Sequence, residues 1–545
     1  SIAEGLALTR DLRGTNEKVV VVVGDAALIT GMALEALNDI GQRQTRLLIV
    51  LNDNEMSISP TVGALSQYLS RIKLSRPWRG SKRVYDATVE RLPVVGPFVL
   101  EWSRRLRKSV VNFAQPGQLF EDLGITYAGP VPGHSLRALE ATLRRALRDM
   151  DGPVLVHVRT QKGRGYQPAM ADKVSFHGAA LPPMTVVPAA ATAGPANGGD
   201  GDAQPSLAQA AAARSKPPNY TAVMASELIE LGKRDERIVA ITAGMPTGTG
   251  LARFEAAFPD RMYDVGIAEQ HAMTLATGLA LGGRRPLVAL YSTFLQRAFD
   301  QTVHDVCQND VPVVIGVDRA GLVGEDGTSH QGMFSIPAQR QLPNIVVSSP
   351  KDEQELRRLL HTAFAQDHPF ALHYPRDPGF DLPPVEPTPI PVGEGELLRR
   401  GADLLIVGFG PIVMRGLAAA DALAAEGWSI GVINARFAKP LDAPLIAEHA
   451  RGKRLVVTLE ESVVVGGFGA AVLEALAEAG LRDEELRQVP VRLIGIPADR
   501  FVDHGAVRDL RRTLRLDEVG IKAQIDEALD TLGLRPPARL EQRSA

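Results

Sequence analysis

A single cysteine, Cys307, is all the thiol this chain has, so neither a disulfide framework nor a cysteine-cluster metal site can be built within it. A lone cysteine fits a reducing compartment and reads as a small core residue rather than a nucleophile. Long apolar runs are missing too. No stretch reaches the roughly 18 continuous apolar residues of a membrane span, and the N-terminus lacks the basic-then-apolar pattern of a signal peptide. These absences predict a cytoplasmic protein with no membrane partner. Neither sign of charge is in large excess: 60 basic against 63 acidic residues leave −3, which argues against a generic nucleic-acid binder. What the chain does have is bulk. Its 545 residues, 45% of them hydrophobic, can bury several cores, and this length predicts about three or four domains.

Composition marks the boundaries. Residues 182–218 are rich in Ala, Pro, Gly and Ser and cannot repay ordering entropy by burial, so they read as a linker. Six prolines from Pro378 to Pro391 mark a second boundary. The pattern predicts an α/β fold of three consecutive domains with mainly parallel sheets, over 1–181, 219–378 and 392–535. Predicted strands are 19–23, 47–51 and 154–158 in the first, then 238–241, 287–290, 311–317 and 370–374 in the second. The third has strands at 402–408, 429–434 and 454–459 and ends in helices. Residues 70–112 resist this scheme. Basic residues such as Arg71, Lys73 and Arg79 interleave there with Trp78, Tyr85, Phe98 and Trp102. The segment reads as a helical flap over the site, with a nucleic-acid or membrane surface as the alternative.

Two motifs carry the chemistry. Gly24-Asp25-Ala26 follows the run 19–23, which has the composition of a fully buried parallel strand, and precedes a helical pattern through Met32, Leu34 and Leu37. A second buried strand, 47–51, delivers Asn54 and Met56 to the same rim of the sheet, where α/β proteins bind ligands. An Asp carboxylate, an Asn amide oxygen and a backbone carbonyl are hard donors suited to Mg2+ held against a diphosphate. The small Gly24 and Ala26 let backbone approach the phosphates. By itself a strand-ending Gly-Asp is most simply a turn or a helix cap; the spacing to Asn52-Asp53-Asn54 is what favours the metal and diphosphate reading. The second motif is Gly-Ile-Ala-Glu-Gln-His at 266–271. Its Glu269 lies near the start of an Ala/Leu-rich helix over 268–281, where a carboxylate by default serves the helix dipole. Together the two motifs read as a thiamine diphosphate site.

Residues 51–59 (Leu-Asn-Asp-Asn-Glu-Met-Ser-Ile-Ser), 291–301 (Tyr-Ser-Thr-Phe-Leu-Gln-Arg-Ala-Phe-Asp-Gln) and 318–321 (Asp-Arg-Ala-Gly) resemble the 1-deoxy-D-xylulose-5-phosphate synthases. So do residues 129–131, 162–166 and 500–505. The resemblance runs from Ser1 to about residue 530, and its Asn-Asp-Asn-Glu-Met-Ser-Ile-Ser and Thr-Phe-Leu-Gln-Arg stretches separate it from the wider transketolase group. It implies a transketolase-like thiamine diphosphate fold and a homodimer. The first domain would bind the diphosphate and the second the pyrimidine, and the third would be a transketolase C-terminal domain.

Carried onto this sequence, the resemblance implies that Asp25, Asn54 and the Met56 carbonyl hold Mg2+, with Gly24, Ala26, Ala27, Lys162 and Tyr166 near the cofactor. Glu269 would bond the pyrimidine ring nitrogen and Phe294 would stack on the ring. The implied substrates are pyruvate, which is decarboxylated, and D-glyceraldehyde 3-phosphate, which accepts the two-carbon unit for isoprenoid precursor synthesis. Arg319 and Arg376 match phosphate-binding positions, where a guanidinium fork supplies bidentate donors. Tyr291 and Asp326 are further substrate-side candidates, and His177 and His330 match histidines of proton transfer or substrate contact. The chain departs from the family pattern at Ala26, where Gly is usual, at Pro132, where Asp is, and at Met170, where Glu is. It also begins past the family's Gly-His-Gln and Gly-His-Ser-Ser segments, from which an open edge in the first domain's sheet is expected. Two alternatives stay open: another transketolase-like enzyme with a different acceptor, and a partner-dependent subunit acting only through interaction.

Overall fold

The computed structural model describes residues 1–54, 56, 62–64, 117–173, 176 and 217–537. The flap expected at 70–112, most of the linker, and His177 lie outside the described residues. The chain divides into two compact units, one of Ser1–His177 with Ala243–Met245 and Asp264–Ala268, the other of the remaining residues.

The first unit is built on β1 (Val20–Gly24), β2 (Leu48–Asp53), β3 (Thr126–Pro132) and β4 (Val154–Arg159). They form a four-stranded parallel sheet in the order β1-β2-β4-β3. Alternation along the strands splits its core between two faces: Ile49, Leu51 and Leu155 pack on one side, Leu48, Val156 and Val158 on the other. The sequence predicts a fully buried first strand. Instead, β1 lies at the sheet edge, with Val20 46% and Val22 69% exposed, while Val21 and Val23 pack inward. An unbroken valine run has no period, so composition cannot separate an edge strand from a central one. Strand β3 escapes prediction because Gly129 and Pro130 interrupt it, and it too is an edge strand, where proline is tolerated.

In the second unit, β5 (Ile238–Thr242), β6 (Met262–Asp264), β7 (Arg285–Tyr291), β8 (Val314–Asp318), β9 (Val346–Ser348) and β10 (Phe370–Tyr374) precede the proline-rich boundary. Beyond it come β11 (Glu396–Arg399), β12 (Leu404–Gly408), β13 (Ile430–Asn434), β14 (Phe437–Lys439), β15 (Leu455–Val463) and β16 (Val491–Ile496). A seven-stranded sheet runs β14-β9-β10-β8-β7-β5-β6, and a five-stranded sheet runs β11-β13-β12-β15-β16. Only β14 against β9 and β11 against β13 are antiparallel among the pairings described. The stretch after the prolines therefore lends a strand to the sheet before them. The short strands β6, β9, β11 and β14 carry too few residues for a period to show, and Arg492 and Gly495 interrupt β16. Cys307 is buried at the end of a π-helical turn, Thr302–Cys307, and burial pushes its thiol up to about 11, as suits a core residue.

A buried carboxylate organises the rim of the five-stranded sheet. Glu460, at 0% exposure, accepts hydrogen bonds from the Phe468 and Gly469 N–H groups, both 2.8 Å away, at the start of the helix Phe468–Gly480. The Ser462 hydroxyl also donates to it. Burial nevertheless pushes its pKa from 4.5 up to about 6. A raised carboxyl pKa stabilises the fold fully below the unfolded value and loses that contribution as pH climbs through the folded value. Relative to Glu460→Gln, the native chain is expected to lose about 2 kcal/mol of stability across this window. Denaturant midpoints of the two proteins from about pH 4 to 7 check this, and parallel curves would refute it.

Candidate functional site

Parallel pairing brings the ends of β1 and β2 to one edge of the first sheet, with Gly24 opposite Asn52. Asp25 opens a short helix there and is only 5% exposed. Burial, and after it the Asp53 carboxylate, raise the Asp25 pKa, while the N–H groups of Asp25, Asn54 and Ala26 hold it down. Asn54 follows β2 directly, and its Oδ1 accepts from the Met56 N–H at 3.0 Å. Ala26 and Met56 are half-buried, Ala27 is exposed, and a Cβ added at Gly24 would meet nothing within 4 Å. Asp25 is therefore a buried carboxylate that a second carboxylate repels, an arrangement that a bound cation would relieve. Among the described residues no three His, Cys, Asp or Glu side chains gather as a metal cluster. A cation here would take Asp25 with amide and carbonyl oxygens, a hard donor set that fits Mg2+. Lys162 is half-buried, and burial lowers its pKa. Tyr166 is 58% exposed, with its ring edge-on to Phe176 at 5.7 Å.

In the second unit, β7, β8 and β10 run parallel and place Tyr291, Arg319 and Arg376 at or just beyond their carboxyl ends. Arg319 carries φ +61°, a left-handed conformation that a non-glycine residue adopts only under constraint. The constraints are visible. Its guanidinium lies 3.7 Å over the Tyr291 ring, donates to the Gly248 carbonyl at 3.0 Å and pairs with the fully buried Asp318 at 3.1 Å. Burial pushes Asp318 up to about 6, and the Thr221 hydroxyl donates to its other oxygen at 2.9 Å. Arg376 pairs with Asp326 at 3.1 Å, and the Arg319 Nε lies 3.9 Å from the same carboxylate. That Nε is buried and makes no hydrogen bond, so the cluster holds a donor in reserve.

The aromatic side of this cluster is continuous. Phe294 stacks on Tyr291 at 5.6 Å, and His330 meets Phe294 edge-on at 5.3 Å. The Ser329 hydroxyl lies 3.0 Å from the His330 Nδ1. Burial pushes the Tyr291 phenol up to about 12. Tyr291, Phe294, Arg319, Asp326, His330 and Arg376 thus share one neighbourhood. Glu269 is the first residue of the helix Glu269–Leu281 and is 2% exposed. Its Oε2 accepts from Arg297 at 2.7 Å. Burial raises its pKa against the opposing pull of its own N–H and of Arg297. Sequence reasoning assigned no role to Arg297 or Asp318, although both lie inside quoted motifs. Their only signal is a charged residue at the edge of an apolar element. Arg511, 9% exposed, clamps Glu461 and Asp377, the residue after Arg376, and nothing in its local sequence marks it.

Three family models match successive parts of the chain. Residues 1–160 match the family model described as 1-deoxy-D-xylulose-5-phosphate synthase. Residues 216–379 match the transketolase pyrimidine binding domain, and 393–521 the transketolase C-terminal domain. The chain is 45% identical to 1-deoxy-D-xylulose-5-phosphate synthase 1 of Geobacter sulfurreducens, over 98% of this chain and 80% of that protein. It is 46% identical to 1-deoxy-D-xylulose-5-phosphate synthase of Thermomicrobium roseum, over 98% and 79%. Among solved structures, a split gene transketolase described as an inactive beta4 tetramer is 30% identical with a TM-score of 0.51, over 57% of this chain and 99% of that one. With parallel sheets whose ends carry these side chains, and with relatives matching nearly its whole length, the chain belongs to the 1-deoxy-D-xylulose-5-phosphate synthase family.

Proposed function

We propose that this chain decarboxylates pyruvate and joins the remaining two-carbon unit to D-glyceraldehyde 3-phosphate, releasing carbon dioxide and 1-deoxy-D-xylulose 5-phosphate. The observation that carries the reading is the convergence of Arg319 and Arg376 on one carboxylate beside the Tyr291–Phe294 stack. Two guanidiniums with an unused buried donor suit a phosphate monoester. In this reading they hold the acceptor's phosphate, with Asp326 orienting both and Tyr291 supporting Arg319 from below.

In the first unit, Asp25, Asn54 and the Met56 carbonyl would hold Mg2+, and Gly24, Ala26, Ala27, Lys162 and Tyr166 would flank the diphosphate. When bound, thiamine diphosphate supplies an electron sink for making and breaking the carbon–carbon bond. Glu269 would hydrogen-bond the pyrimidine nitrogen through its buried carboxyl, and Phe294 would offer its face to that ring. His330 moves a proton on the substrate side, and His177, outside the described residues, shares that task. We further infer a homodimer in the cytoplasm. Near-absence of cysteine supports the compartment, and among the described residues no helix is long and apolar enough to cross a membrane.

Product formation by the purified chain tests the proposal, with pyruvate, glyceraldehyde 3-phosphate, Mg2+ and thiamine diphosphate, each omitted in turn, and detection by mass spectrometry. Cofactor-dependent deoxyxylulose phosphate is expected. A product made only with some other aldehyde acceptor would overturn the substrate assignment.

A further inference from the structure

A polar line crosses the first sheet beneath the Asp25–Asn54 pair. Tyr127 on β3, His157 on β4 and Asp53 at the end of β2 occupy the same face, and the sheet order sets them in sequence toward β1. The Tyr127 hydroxyl lies 2.6 Å from the His157 Nδ1, and the His157 Nε2 lies 2.7 Å from the Asp53 Oδ2. His157 is 0% and Asp53 2% exposed. The two ring nitrogens of His157 thus each meet a polar partner, one on β3 and one on β2. Buried polar groups this costly to desolvate persist where their geometry is used.

The backbone is tied down at the same place. Thr160 donates its N–H to the Asp53 carbonyl at 2.9 Å and its hydroxyl to the Asn52 side chain at 2.7 Å. Asp53 is joined to Asn54, whose N–H in turn supports the Asp25 carboxylate. Gly129 lets β3 come close enough for the line to form, since a Cβ there would stand 2.7 Å from the His157 carbonyl oxygen.

We propose that Tyr127, His157 and Asp53 are positioning residues that aim the Asp25 and Asn54 oxygens at the divalent cation. The inference rests on the reading of Asp25 and Asn54 as the cation's ligands. Partners behind metal ligands hold ligand orientation, and losing one typically weakens metal affinity about 10- to 100-fold.

The test titrates Mn2+, as a spectroscopic stand-in for Mg2+, into the full chain with saturating thiamine diphosphate, reading free Mn2+ by electron paramagnetic resonance. His157→Leu is expected to weaken Mn2+ by about 10-fold or more. His157→Gln, whose amide can still donate to Asp53, should recover most of that loss. Tyr127→Phe keeps the stacking on Phe120 and should weaken Mn2+ more mildly in the same direction. Turnover at saturating Mg2+ should return toward native values, separating poor metal capture from damaged chemistry. Thermal midpoints identify a variant that fails to fold, in which case Tyr127→Phe and His157→Gln decide the matter. If the native chain binds Mn2+ and every folded variant binds it equally well, the positioning role is overturned. If the native chain binds no Mn2+ with the cofactor, the ligand assignment falls and takes the inference with it.

Discussion

Glu269→Ala is expected to cut turnover by about 10²- to 10⁴-fold, the range for loss of a positioned acid or base, while leaving the fold largely intact. The carboxylate is 2% exposed at the first turn of a helix, and burial keeps its proton affinity above that of an ordinary glutamate. Raised affinity is what a group needs if it is to give and regain a proton near neutral pH. The fold has little to lose at this position. The chief partner, Arg297, has a side chain 34% exposed and can turn to water once the carboxylate is gone. Turnover and the thermal midpoint should therefore separate, the first collapsing and the second moving slightly. Retained turnover would end the assignment of Glu269 to proton chemistry.

The opposite pattern is expected at Glu355. This residue is 2% exposed and accepts from Asn434 at 3.0 Å, from Arg436 at 2.6 Å and from the Lys351 N–H at 2.7 Å. Lys351 and Arg436 also reach Glu396, at 2.8 and 3.0 Å, so the charges form one network between the start of the helix Glu353–Phe364 and the ends of β11 and β13. Arg436, at φ +58°, is held in a left-handed conformation immediately before β14 pairs with β9. Removing one partner of a buried pair strands the other charge, at a typical cost of about 3–5 kcal/mol. Glu355→Ala should lower the denaturant midpoint accordingly, and Glu355→Gln, which keeps acceptors for Asn434, should lower it less. An unchanged midpoint for the alanine variant would mean that Lys351 and Arg436 are satisfied by Glu396 alone.

Much of this was legible one strand at a time. Parallel strands buried on both faces are long apolar runs, and the runs at 47–51, 154–158 and 370–374 correspond to β2, β4 and β10 within a residue or two. Because parallel strands end at one edge, Asp25 and Asn54 could be singled out as candidates from the runs they follow, whereas Lys162 and Arg376 came from the family resemblance. Edge strands were harder. β1 looked fully buried because its valines carry no period, and β3 was not predicted because Gly129 and Pro130 interrupt it. Nor could the strand Phe437–Lys439 be assigned from sequence to a sheet whose other strands precede the prolines, since three residues show no pattern and the pairing is long-range.

By itself the sequence determined the α/β class, the family and the identity of the side chains that end the strands, because burial periodicity and short motifs are local properties. Only the tertiary structure decided what those side chains meet. The line from Tyr127 through His157 to Asp53, the strained Arg319 between Asp318 and Tyr291, and the network around Glu355 all join residues far apart in the chain. Hydrogen bonds and ion pairs depend on distance and desolvation, and both are set by which strands lie side by side.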